Sequence, residues 1–134
     1  MNSTRTRLAN VNYSADHFYF IKIEIAPNTT IFDHSSQLLT QSIWFEQVNR
    51  YSIIYSHHFF IDANQLQAIL EWRSDRVAPY KNPVSLTKFI AQFKSKSTVF
   101  LRKNGASDFC WQRGFFERII RNKAEFDHFK QKLK

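Results

Sequence analysis

The residues best suited to chemistry lie near the C-terminus. Trp111-Gln112-Arg113-Gly114-Phe115-Phe116-Glu117-Arg118-Ile119-Ile120-Arg121 interleaves aromatic rings with guanidinium groups. Arginine pairs with phosphate in a planar fork, and an exposed ring stacks on an unpaired base. The plainer alternative makes the rings core and the arginines a solvated strand face. Half of that alternative is expected to hold, with Trp111 and one Phe buried. The five histidines are His17, His34, His57, His58 and His128. The pair His57-His58 invites a metal reading, but neighbours on a strand point to opposite faces and cannot chelate one ion. Cys110, between Phe109 and Trp111, reads as a small buried hydrophobe rather than a nucleophile. No Ser-His-acid or metalloprotease motif is present.

Charge agrees with a polyanion partner. The net formal charge of the 134 residues is +8, unevenly spread. Residues 1–72 hold four basic and six acidic side chains, for −2; residues 73–134 hold fifteen and five, for +10. A strongly basic half beside a mildly acidic one suggests a nucleic-acid-binding face, against the alternative of a merely solvated surface. Hydrophobic residues make up 43% and charged residues 22%, the balance of one globular domain with a real core. No apolar run approaches a membrane span, and no lipid anchor or lone basic amphipathic helix appears. The polar N-terminus has no apolar leader segment, so a cytoplasmic location is expected. One cysteine excludes an internal disulfide, and two glycines exclude glycine-rich phosphate loops.

The elements that must position these residues follow from periodicity. Residues 1–16 read as a flexible polar arm, and 17–134 as a single domain. His17 to Ile25 alternates as a strand, with Tyr19, Ile21, Ile23 and Ile25 on one face and Lys22 and Glu24 on the other. Asp33 can cap a helix to about Gln47 that carries Leu38, Leu39, Ile43 and Trp44. Arg50 to Asp62 is β-rich. Gln65 to Trp72 is another strand, with Leu66, Ala68 and Leu70 sharing a face. Residues 73–82 form a loop. A helix from about Val84 to Lys103, opened by Pro83 and stopped by Asn104-Gly105, presents Leu86, Phe89, Ile90, Phe93, Phe100 and Leu101 as one stripe. Asp108 to Ile120 reads as a strand kinked at Gly114. Asn122-Lys123-Ala124-Glu125 fits a capping box before a last helix with Phe126, Phe129 and Leu133 inward. The order β-α-β-β-α-β plus a helix predicts an α+β, ferredoxin-like antiparallel sheet with helices packed on one face.

The chain resembles the single-tyrosine HUH transposases, and among them the REP-associated tyrosine transposases, from His17 to Lys134. Three phrases carry the resemblance. Trp111 to Arg121 is similar to the family phrase W-x-x-G-[FY]-[YF]-[DE]-R-x-I-R. Phe93-Lys94-Ser95-Lys96-Ser97 is similar to its helical F-K-S-x-S. The stretch from His17 to Phe32 looks like its first strand and turn. The resemblance implies a single-stranded or hairpin DNA partner and a monomer or a homodimer.

The same resemblance locates departures at the family's catalytic positions. The family's metal site is a strand phrase like M-P-[ND]-H-x-H-x-x-L, whose two histidines face one side and hold a divalent ion. Here Asp62-Ala63-Asn64-Gln65-Leu66-Gln67-Ala68-Ile69-Leu70 places Gln65 and Gln67 at those positions. Setting the motif on His57-His58-Phe59 still lacks the second ligand. The family's nucleophilic tyrosine falls at Lys132, fifteen residues after Glu117. The expectation is a DNA-binding protein without cleavage, without metal and without cofactor. Lys88, Lys94, Lys96, Arg102, Lys103, Arg113, Arg118 and Arg121 are the candidate DNA contacts. The competing readings are an active or accessory transposase or nicking endonuclease, for which Tyr13, Tyr19, Tyr51, Tyr55 and Tyr80 remain candidate nucleophiles, and an interaction protein that keeps only the fold.

Overall fold

A computed structural model describes residues 17–30, 32–73 and 84–133. The expected arm at 1–16, Pro83 and nearly all of the expected 73–82 loop lie outside them. The elements are β1 (His17–Glu24), α1 (His34–Asn49), β2 (Ile54–Ile61), β3 (Gln65–Trp72), α2 (Leu86–Lys103), β4 (Phe116–Ile120) and α3 (Lys123–Lys132). The sheet order is β2-β3-β1-β4 and every pairing is antiparallel. This is the ferredoxin-like arrangement that the element order predicts.

The two faces of the sheet carry separate cores. Odd-numbered residues of β1 and even-numbered residues of β3 meet α1 and α2: Ile21, Ile23, Leu66, Ala68 and Leu70 pack with Trp44, Phe89 and Phe93. The opposite parity forms a second core in which Phe18, Phe20, Ile69 and Ile120 meet Phe126 and Phe129 of α3. Strand alternation makes this possible, because β1 is apolar on both faces over its first half. The C-terminal helix therefore covers the side that α1 and α2 leave open.

Caps fix the helices. Asp33 accepts from Ser36 N at 2.9 Å, which holds its carboxyl below the usual range. Asn122 Oδ1 accepts from Glu125 N at 2.9 Å, and Glu125 reaches back to Arg121 N at 2.7 Å. The capping box is thus present with its return bond one residue upstream. α2 starts two residues later than its pattern suggests, because Ser85 Oγ takes Lys88 N and sets the cap. Two expected core residues are instead exposed: Leu38 on α1 and Phe100 on α2. Ser97, fully buried, fills out the α2 stripe.

The expected strand from Asp108 to Ile120 is mostly not a strand. Only Phe116–Ile120 pairs continuously with β1, and Trp111 makes a lone bridge to Ile25. Between them Gly114 takes φ +71°, a left-handed turn that costs glycine no Cβ clash. Cys110 is half-buried in this non-strand segment, its Sγ against Trp111 O.

Candidate nucleic-acid interface

Gln65 and Gln67 lie on one face of β3, the α3 side, because they alternate with Ile69. Register places Gln65 opposite Glu24 and Gln67 opposite Lys22, and Lys22 in turn opposite Phe116. These neighbours run into a pocket of about 360 Å³ at the end of β1 and β4, lined by Lys22, Glu24, Gln112, Arg113 and Phe116 among others. Besides Arg113, a set of three cations and two rings runs from its Phe116 wall toward α3. Lys22 Nζ lies 5.7 Å from the Phe116 ring centroid. The Arg118 guanidinium lies 5.7 Å from Phe116 and 6.0 Å from Phe129. Lys132 Nζ lies 6.0 Å from Phe129. Phe129 is buried, but Phe116 is 43% exposed and presents a stacking surface among these charges.

The donor set at Gln65 and Gln67 does not fit a divalent transition metal. Two neutral amides replace what would need imidazole or carboxylate. Among the described residues no group of three or more His, Cys, Asp or Glu could hold an ion. Gln67 Oε1 is buried without a hydrogen-bond partner, a single neutral oxygen.

The eight basic residues expected at a DNA surface do not form one patch. Arg118 projects on the α3 side, whereas Lys88, Lys94, Lys96, Arg102 and Lys103 ride on α2 across the sheet. α2 alone is about 27 Å long at 1.5 Å per residue, so Lys88 and Lys103 stand at its two ends. Lys94 is already engaged: Nζ donates to Gln112 O at 2.9 Å and to Gly114 O. Burial pushes its pKa down, against a smaller opposing effect of Cys110. It anchors the turn that carries Arg113. Arg102 Nε likewise donates to Phe109 O at 2.9 Å. Arg121 pairs with Glu125 at 3.8 Å in an exposed i,i+4 contact. Lys96 lines a groove between α1 and α2. Of the expected set, Arg113 and Arg118 border or flank the pocket.

Two contributors escape sequence reasoning. Lys22 reads as ordinary strand polarity, and Lys132 as an absent tyrosine. Both are cations of the same cluster. The signal was the parity of Phe18 and Phe20 with Lys22, which marks that face as covered rather than solvated.

The histidine pair corrects another expectation. The β2–β3 register shifts between Ser56 and His58, so His57 is a bulged residue. Both rings consequently reach Phe126, at 5.4 and 5.7 Å between centroids, instead of pointing to opposite faces. His57 Nε2 lies 2.8 Å from the buried Glu71 Oε1, which also meets Arg73 Nε at 3.4 Å. The described tyrosines differ in their surroundings, Tyr55 being 46% exposed. Burial, then Glu117, raises the Tyr19 pKa. Tyr51 OH donates to Gln92, and Tyr55 lies under Arg73. None is on α3.

The four-stranded 2-3-1-4 sheet, with two helices on one face and a C-terminal helix on the other, is a fold shared with solved transposase structures. In particular, the chain is similar to the structure of the REP-associated tyrosine transposase bound to a REP hairpin, with a TM-score of 0.67 and 11% identity. That likeness covers 87% of this chain and 64% of the transposase, so this chain spans under two thirds of its length. It is also similar to a presumed transposase from Deinococcus radiodurans R1, with a TM-score of 0.61, 7% identity and 96% of each chain covered. No family profile and no curated protein matches the sequence.

Proposed function

We propose that this chain is a transposase-derived module that binds single-stranded or hairpin DNA and does not cleave it. One observation carries the reading. Lys22 and Arg118 flank the exposed Phe116 beside a pocket that Arg113 also lines, and Arg118 and Lys132 share the neighbouring Phe129 ring. Cations neutralise phosphates, the ring stacks on an unpaired base, and the turn held by Lys94 presents a further guanidinium. The likeness to a transposase bound to a REP hairpin supports a hairpin as partner, and the resemblance to transposases makes that partner DNA. The absence of cleavage rests on the chemistry of Gln65, Gln67 and Lys132. Neutral amides are poor ligands for a metal that would polarise a phosphate, and an amine cannot form a phosphotyrosine link. Among the described residues no helix is long and apolar enough to cross a membrane.

A gel-shift panel of hairpin, single-stranded and duplex DNA with matching RNA, at 50 and 200 mM salt, tests the reading. Each single-strand phosphate contact contributes roughly 0.7 to the salt slope. Lys22, Arg118 and Lys132 together are therefore expected to supply a slope of about 2, or roughly a 20-fold loss of affinity over that salt range. Replacing all three with alanine should remove that sensitivity. A covalent protein–DNA adduct formed by the unmodified chain would replace the reading with a nicking endonuclease. No salt-sensitive affinity for any nucleic acid would replace it with an interaction protein.

A further inference from the structure

The α1–α2 side of the molecule carries a second cavity that the α3-side cluster does not use. A groove of about 510 Å³ runs between α1 and α2. Its floor is polar and fixed. Gln92 Oε1 accepts from Gln47 Nε2 at 2.8 Å and from Tyr51 OH at 2.7 Å. Two donors on one oxygen set the orientation of that amide, and its NH₂ group is the donor end that remains. Arg50 and Lys96 supply two cations to the lining, which includes no carboxylate. The remaining wall is Ser95, Val99 and Phe100, the last two respectively 50% and 42% exposed. Large apolar side chains left in water beside cations and a fixed amide have the chemistry of a site for an anion that carries a flat ring.

We propose that this groove binds one nucleotide unit, with its phosphate between Arg50 and Lys96, its base against Phe100 and a base edge facing the Gln92 amide. The inference rests on the nucleic-acid reading only for the source of that unit: a bound strand is the favoured source, and a free nucleotide shares the same chemistry. It is distinct from the α3-side cluster, since α1 and α2 lie on the other face of the sheet.

The full chain, labelled with ¹⁵N, is titrated separately with thymidine 5′-monophosphate and with a twelve-nucleotide oligo(dT), and oligo(dT) affinity is measured by gel shift. Oligo(dT) is expected to move the amide resonances of Arg50, Gln92, Lys96 and Phe100. Phe100→Ala should abolish those shifts and weaken oligo(dT) roughly fivefold or more, the effect of losing one stacked base. Arg50→Gln with Lys96→Gln should abolish them as well. Both variants alter exposed or rim side chains, and an unchanged thermal melt confirms the fold. Groove shifts with the mononucleotide while oligo(dT) fails to bind would keep this site and overturn the nucleic-acid reading. Oligo(dT) binding with shifts confined to Lys22, Arg113, Phe116 and Arg118 would overturn the groove and leave that reading standing. Equal groove shifts from an oligoglutamate control, unaffected by Phe100→Ala, would show a generic anion surface and also overturn the groove.

Discussion

Replacing Lys94 with methionine separates an anchoring lysine from a phosphate-contacting one. Methionine keeps much of the apolar stem and removes the ammonium that donates to Gln112 O and Gly114 O. A hydrogen bond from a charged donor contributes about 1.5–3 kcal/mol when sheltered. Both bonds here are exposed, so water takes over much of each carbonyl's need, and removal also relieves the burial that depresses the lysine pKa. The net cost is expected to be about 1–2 kcal/mol. Unfolding entropy of about 2.1 cal/mol/K per residue over 134 residues converts this to a Tm lower by about 4–7 °C. Calorimetry measures that shift, and hydrogen exchange should show faster opening at residues 112–116. Affinity for single-stranded DNA should fall only as far as Arg113 loses its support. An unchanged Tm together with a salt slope flattened by about 0.7 would refute the reasoning and make Lys94 a direct phosphate contact.

Three further outcomes are expected. Burial first, then Lys130 and His57, holds the His58 imidazole below the usual histidine range, so the unfolded chain binds the proton more readily. The stability that this group contributes is therefore complete above about pH 6.5 and is lost as pH falls through the lowered folded value. Urea midpoints should drop from pH 7.5 to pH 5 by less in His58→Gln than in the parent, and equal drops would exclude His58 as the cause. Ser97→Ala leaves the buried Trp111 Nε1 without the acceptor it now has at 2.9 Å, for a loss of about 1–3 kcal/mol in chemical denaturation; a loss below about 0.5 kcal/mol would mean that another acceptor replaces it. Gln65→His with Gln67→His should give no covalent DNA adduct on denaturing gels, because the proposed reading places Lys132 at the tyrosine position; an adduct would show a nucleophile elsewhere in the chain.

Much of the fold was legible because its signals are local. Period-two alternation fixed β3 at Gln65–Trp72 and the shared face of Gln65 and Gln67. The caps at Asp33 and Asn122 are set by side-chain oxygens within three residues of the amides they satisfy. Phe126, Phe129 and Leu133 are turned inward as their helical spacing requires. The candidate site was legible only in part. Arg113 and Arg118 come from the aromatic and basic phrase that pointed to nucleic acid. Lys22 and Lys132 join them from the two ends of the chain, a grouping that no local pattern encodes.

The sequence by itself therefore determined the element order, the parity of each strand and the excess of cations in the second half. Tertiary structure decided which of those cations meet. Lys94 and Arg102 are drawn to carbonyls of the 109–114 segment, because backbone oxygens there outside the continuous strand ladder need donors and α2 passes within reach. Strand β4 begins only at Phe116, since the left-handed turn at Gly114 separates it from the single bridge at Trp111. The bulge at His57 brings both histidines onto Phe126, where a buried Glu71 carboxylate meets one ring and α3 covers both. Each of these outcomes depends on partners far apart in the chain. Local propensity says which way a side chain points along its own element, but only packing says what it finds there.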